Sequence, residues 1–180
     1  MLWAVAIALL AGTLLALAGF LLTSVQGFAL SAHLAAAEPA ARFLVARHVA
    51  YAIPTVLFSL FSQSMVIFFF IGTGRLVKDE IAAFAEPEKR AVLAALRDFK
   101  RRTSPAATFA LLSAIAVFVL GGAVHTRALP SWTHLTSSLV AVGTHFWALR
   151  EEWHAFLDNG KLMADPKGWA RAATRGHAAG

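Results

Sequence analysis

The stretch that decides the fold runs from residue 48 to residue 74 and reads HVAYAIPTVLFSLFSQSMVIFFFIGTG. It contains no acidic residue, lysine or arginine. At a helical repeat its polar side chains fall within one arc, formed by His48, Tyr51, Thr55, Ser59, Ser62 and Thr73. Because a hydroxyl or imidazole that faces hydrocarbon lacks a hydrogen-bond partner, we expect this arc to face other helices, a cofactor or internal water.

The rest of the chain has the same apolar character. Its 180 residues are 58% hydrophobic and 14% charged, with a mean hydropathy of +0.65, which is more apolar than a soluble domain of this size requires. A helix needs about 20 residues to cross a hydrocarbon core of about 30 Å. The sequence therefore predicts an all-α integral membrane bundle of four transmembrane helices, at about residues 2–23, 47–72, 106–124 and 132–149.

The basic residues predict how these helices are oriented. Eight Lys and Arg residues lie between Arg75 and Arg102 and five from Arg150 onward, whereas the other two connections, Thr23–Arg47 and His125–Ser131, hold three. Basic loops remain in the cytoplasm. We therefore expect a multi-pass protein of the cell membrane with both termini cytoplasmic.

This topology also accounts for the formal net charge of +6, so we do not expect nucleic acid as a partner. We expect residues 1–160 to form a single transmembrane domain and residues 161–180 to form a flexible, basic cytoplasmic tail.

The basic connection is predicted to contain its own helix at about residues 87–101. Pro87 is typical of a helix start, and Val92, Leu96 and Phe99 form an apolar stripe among basic residues. This pattern favours a basic amphipathic helix lying on anionic lipid headgroups. Ser104-Pro105 then predicts a separate start for the third transmembrane helix.

A second polar line lies on the fourth predicted helix. Its members return to nearly the same helical angle and are His134, Ser138, Ala141, His145, Glu152 and Asn159. We expect this line to meet the first, with His48 near His134 and with Ser59 and Ser62 facing the fourth helix. The candidate functional polar face comprises Tyr51, Ser59, Ser62, His145 and Glu152.

Four of the seven histidines fall at the predicted outer surface: His33, His48, His125 and His134. One hypothesis is a b-type haem bound by His48 and His134, with His125 as an alternate ligand. Arg47 and Arg127 would then contact the haem propionates. A copper or zinc site built from the four histidines is a second version, since imidazole suits both metals. The simpler alternative is that these histidines form hydrogen bonds at helix ends.

Other chemistry is limited by composition. The chain has no cysteine, which excludes iron–sulfur clusters and Cys-ligated zinc. No nucleophile–base pair can be read from the sequence, so we do not expect an enzyme.

The leading interpretation is an accessory or anchoring subunit of a membrane complex, in contact with the lipid bilayer and with other membrane subunits or further copies of itself. The alternatives are a haem-b or metal-binding electron-transfer subunit and a small oligomeric transporter.

Overall fold

The computed structural model describes residues 2–35 and 41–178, with side chains described within 3–31 and 42–172. Within these ranges the chain is almost wholly helical and contains no strand, so the predicted all-α class is confirmed. The elements are α1 (Leu2–Ala35), α2 (Ala41–Glu80), a 3-10 turn (Ile81–Ala83), α3 (Glu86–His125), α4 (Ser131–Ala164) and α5 (Pro166–Ala178).

The four long helices pack as a ring of antiparallel neighbours. α1 contacts α2 and α4, and α3 contacts the same two helices. The antiparallel direction is visible between α1 and α2, where Gly12 lies against Ser62 and Gly27 lies against His48. Short connections favour this arrangement, because consecutive helices joined by a few residues pack side by side. α2 and α4 consequently face each other across the interior, which brings the two polar lines together.

Among the described residues, three helices are long and apolar enough to cross a membrane: Trp3–Ser31, Arg42–Ala83 and Glu86–His125. α4 is not among them. Threonine, serine and histidine side chains lower the mean hydropathy of its most apolar stretch, residues 132–149. Length and composition thus support a membrane protein with three candidate spans, fewer than the four predicted.

The first two helices are longer than the sequence predicted. The predicted spans end at about residue 23 and begin again at about residue 47, but α1 continues to Ala35 and α2 begins at Ala41. Residues 36–40 lie outside the described part of the chain. The reason is that residues 24–35 contain no proline, and a single glycine, Gly27, is tolerated within a helix.

The prediction of a separate amphipathic helix at 87–101 is wrong in two respects, namely where the helix ends and what covers its apolar stripe. α3 runs without a break through Pro105, since a proline inside a helix removes one hydrogen bond without having to end the helix. Its apolar stripe is also covered by protein instead of headgroups. Val92 and Phe99 are buried in a cluster with Ile81 and Leu162.

The described part of the predicted tail, residues 161–178, is almost wholly helical. The segment from residue 161 contains the end of α4 and helix α5. Trp169 of α5 lies edge-on to Phe99, with ring centroids 6.3 Å apart, and Ala170 is fully buried. Packing of the partly buried Trp169 ring against α3 gives this short helix the tertiary contact that a helix of its length requires. We refer to the end of the helix bundle that contains α5 as the α5 end. The opposite end, where His48 and His134 lie, is called the histidine end.

Candidate functional site

Buried polar side chains follow the interior from the histidine end toward the α5 end, and we call this set the buried polar line. Its members are Thr13 of α1, Ser59, Ser62 and Gln63 of α2, and Ser138, His145, Glu152 and Asn159 of α4. The four members on α4 are spaced by seven residues. Seven residues are close to two full turns, so they share one face of the helix.

His145 and Ser59 join α4 to α2. The His145 Nε2 atom lies 2.6 Å from Ser59 Oγ, and the His145 Nδ1 atom lies 2.7 Å from the carbonyl oxygen of Ala141. Because a carbonyl only accepts, Nδ1 carries a hydrogen, and in the neutral ring Nε2 accepts from the serine hydroxyl. Phe20 covers the imidazole at a centroid distance of 4.4 Å. Both ring nitrogens therefore already have partners within the protein.

Glu152 joins α4 to α1 and is 0% exposed. Thr13 Oγ1 donates to Glu152 Oε2 at 2.7 Å, and Gln63 Nε2 donates to Thr13 Oγ1 at 3.3 Å. Glu152 Oε1 and Gln63 Oε1 are buried and have no hydrogen-bond partner in the described part of the protein. Side chains of three helices are thus linked at Glu152, whose Oε1 atom can still accept a hydrogen bond.

At the histidine end, His48 of α2 and His134 of α4 lie next to each other. Their ring centroids are 6.0 Å apart and the planes are nearly perpendicular, at 81°, so the predicted proximity of these two residues is confirmed. A Cβ atom on Gly121 would lie 3.0 Å from His134 Cε1, and one on Gly27 would lie 3.4 Å from His48 Cε1. The Nδ1 atoms of both rings are buried without a partner among the described residues.

The other residues of the predicted haem or metal site are not part of this pair. Arg47, His125 and Arg127 are exposed, and Arg127 adopts a left-handed backbone with φ of 60° in the loop after α3. The side chain of His33 lies outside the described ones. Within the described chain, no group of three or more His, Asp or Glu residues could hold a metal ion.

Two members of the predicted polar face point elsewhere than expected. Tyr51 is 49% exposed, which its place at the edge of the helical arc explains. Ser62 is buried but faces α1 instead of α4, because a Cβ atom on Gly12 would lie 2.8 Å from Ser62 Oγ. The expectation that Ser62 faces the fourth helix is therefore wrong.

Sequence reasoning missed Thr13 and Gln63. Gln63 is the one amide in the stretch 48–74, and a primary amide in so apolar a segment needs a buried partner. Thr13 follows Gly12 on the face of α1 that approaches α2 closely. The Gln63 amide was therefore a signal in the sequence, although it does not identify the partner helix, whereas the role of Thr13 follows only from the structure.

Toward the α5 end, Asn159 lines a cavity of about 220 Å³ between the start of α1 and the second half of α4. The remaining lining residues are Trp3, Ala6, Phe69, Phe156, Gly160, Met163 and Ala164. Asn159 is 1% exposed, and its Oδ1 atom has no hydrogen-bond partner in the described part of the chain.

Comparison with protein-family models, curated proteins and solved structures finds no match for this chain.

Proposed function

We propose that this chain is a polytopic membrane protein in which all four long helices cross the bilayer, and that it acts as an accessory or anchoring subunit of a membrane complex. The observation that carries the proposal is that interior polar side chains pair between different helices. Ser59 meets His145, and Thr13 meets Glu152. Ser113 lies 2.7 Å from Thr144. Such hydrogen bonds hold membrane helices together where the hydrophobic effect contributes little.

The surface of α4 supports its assignment as a fourth span. Its buried polar residues Ser138, His145 and Glu152 face the interior, and its outward face carries Leu139, Val140, Phe146, Trp147 and Trp153, all of them exposed. A helix at a water-facing surface has the reverse pattern, with polar residues outward. Apolar residues outward and polar residues inward are what a helix in contact with lipid requires.

The spacing of the polar pairs supports a structural role over a catalytic one. His145 and Glu152 are two helical turns apart, which corresponds to about 10 Å along α4. A catalytic site needs its groups to converge within hydrogen-bond reach of one reacting atom. Here the groups are distributed along the interior, and each pair fixes the relative position of two helices.

Cysteine labelling tests the topology cleanly because the chain has no cysteine of its own. The single variants Thr126→Cys, Ala83→Cys and Lys167→Cys place thiols at exposed positions. With both termini cytoplasmic, a membrane-impermeant maleimide should label Thr126→Cys in intact cells and the other two only after permeabilisation. Labelling of Lys167→Cys in intact cells, with Ala83→Cys still protected, would overturn the fourth span.

The accessory role is tested by isolating the tagged chain from its native membranes in mild detergent. We expect a larger assembly with fixed stoichiometry on size-exclusion chromatography and quantitative mass spectrometry. A monomer in native membranes would contradict the role. Ion flux produced by the purified chain alone in liposomes would instead favour the transporter interpretation.

A second candidate, a haem-b or metal-binding subunit, is favoured by one observation. Two imidazoles on opposite sides of one metal ion, as in haem, have N–metal distances of about 2 Å, which places their ring centroids about 6 Å apart. The separation of His48 and His134 is 6.0 Å. A Soret band that is lost in His48→Ala and His134→Ala but kept in His125→Ala would support haem binding. A colourless, metal-free and folded preparation would exclude this candidate.

A further inference from the structure

Glu152 lies deep inside the bundle, far from both membrane surfaces. Its Oε2 atom accepts from Thr13, and Thr13 stands near the middle of the first predicted span, residues 2–23. At about 1.5 Å per residue, Thr13 is about 15 Å from either end of that span. In the proposed transmembrane arrangement, on which this inference rests, the Glu152 carboxyl group therefore lies in the middle of the hydrocarbon layer.

No positive charge stands next to this carboxyl group in the described part of the chain. The described side chains of α1, and residues 49–74 of α2, include no charged residue. On α4 itself, Arg150 pairs with Glu151 at 3.2 Å. On α3, Arg102 lies 3.8 Å from Asp158. The carboxyl group thus has a hydroxyl donor but no ion pair with a described residue.

A carboxyl group in such surroundings is stable in its neutral form. An isolated carboxylate in a low-dielectric interior costs far more than one hydroxyl donor returns. The neutral form has one O–H group, and because Oε2 accepts from Thr13, the hydrogen belongs on Oε1. Oε1 is the oxygen that has no donor among the described residues. His145, two turns away on the same face of α4, already uses both ring nitrogens in hydrogen bonds.

The cavity at the α5 end approaches this carboxyl group along α4. Its volume of about 220 Å³ is several times the roughly 30 Å³ that one water molecule occupies in the liquid. Trp3, which lines the cavity, is 47% exposed. The cavity is therefore a place that water can enter from the α5 end.

Phe156 lies between this cavity and Glu152. It lines the cavity and follows Glu152 by one turn on the same face of α4. Helical side chains lean toward the N-terminus, so the ring of Phe156 covers the turn that carries Glu152. The ring packs on Phe69 and Phe70, each at a centroid distance of 5.0 Å.

From this geometry we propose that Glu152 is a proton-binding site, whose Oε1 atom carries a proton at neutral pH and exchanges it with water in the cavity when the Phe156 ring turns away. Uptake forms one O–H bond on Oε1 and converts a hydronium ion in the cavity to water. Release reverses this step and leaves a carboxylate that keeps the Thr13 hydroxyl as its donor. Because Thr13 links Glu152 to Gln63, loss of the proton alters a contact that joins three helices.

Infrared spectroscopy of the full chain in lipid vesicles at neutral pH tests whether the proton is present. We expect the C=O stretch of a protonated carboxyl group, lost in Glu152→Gln and kept in Glu151→Gln, the matched control on the neighbouring carboxylate. The absence of this band from the unsubstituted chain, or its survival in Glu152→Gln, would overturn the proposal. If Glu152→Gln does not fold, ¹³C-labelled glutamate decides, because the band of the unsubstituted chain must then shift with the label.

Transfer of the same vesicles to D₂O tests the exchange and its route. The band should shift to lower frequency as the proton is replaced, several-fold faster in Phe156→Ala than in the unsubstituted chain. Phe20→Ala is the control, since Phe20 covers His145 on the other side of Glu152, and its rate should be unchanged. A band that never shifts would overturn the exchange, and acceleration by Phe20→Ala alone would overturn the route.

Phe156→Leu, which keeps a smaller apolar side chain, supplies the same comparison if the alanine variant does not fold. The cysteine labelling of Lys167→Cys and Thr126→Cys does not depend on the protonation of Glu152. A failure of the transmembrane arrangement is therefore distinguishable from a failure of the proton-binding site.

Discussion

The Nε2 atom of His145 and the Oγ atom of Ser59 lie 2.6 Å apart across the interior, where α4 and α2 face each other. The contact couples two residues separated by 86 positions in the chain. Because the other imidazole nitrogen is held by a carbonyl of its own helix, the ring cannot turn to another partner without losing that bond. The pair therefore fixes the distance between α2 and α4.

Replacing Ser59 with alanine should destabilise the protein, because Nε2 of His145 would be buried without a donor. We expect a loss of about 0.5–2 kcal/mol in the free energy of unfolding, measured by denaturant titration in mixed micelles. Ser31→Ala is the control, since the Ser31 hydroxyl donates to Phe28 in its own helix. Equal stability of the two variants would contradict a structural role for the Ser59–His145 pair.

Glu152→Gln should leave stability within about 0.5 kcal/mol of the original, because glutamine has nearly the same shape and keeps the acceptor for Thr13. Thr13→Val should cost about 1–3 kcal/mol, since it leaves both neighbours without a partner. Both are measured in the same unfolding assay. If Glu152→Gln proves as damaging as Thr13→Val, the carboxylate charge itself is required.

Gly19→Ala should destabilise the contact between α1 and α2. The added Cβ atom would lie 2.8 Å from both Cγ2 and Oγ1 of Thr55, so the helices would have to separate. Gly143→Ala is the matched control, because nothing lies within 4 Å of its Cβ position. That variant should gain about 0.5–1 kcal/mol from helix propensity. A stabilising Gly19→Ala would show that the close approach is absent in the membrane.

Phe99→Ala should destabilise the α5 end by about 3–5 kcal/mol, because it removes a buried ring that packs against Trp169. It should also make α5 more sensitive to limited proteolysis, followed by mass spectrometry. Leu76→Ala is the control, as Leu76 is exposed. A Phe99→Ala protein with unchanged stability and unchanged α5 cleavage would restore the interpretation that this stripe lies on lipid.

Much of the helical pattern could be predicted from the sequence, and so could the contact between His48 and His134. Helical angle is a local property, so residues such as His145 and Glu152 could be assigned to one face of α4 from their spacing alone. The continuity of α3 through Pro105 could not be predicted. Proline biases a chain toward a helix end without requiring one, and tertiary packing on both sides decides the outcome.

What the sequence by itself determined is the class of protein, because hydropathy summed over the chain does not depend on how its helices are arranged. It also indicated that Ser59, Ser62, Gln63 and Thr73 within 48–74 face inward, since hydrocarbon offers them no partner; Tyr51 is the exception. Only the tertiary structure decided that Ser59 meets His145 and that Thr13 joins Glu152 to Gln63. The helical repeat specifies the direction of a side chain around its own axis, whereas the register between two helices depends on how closely their surfaces approach, as Gly12 and Gly19 allow here.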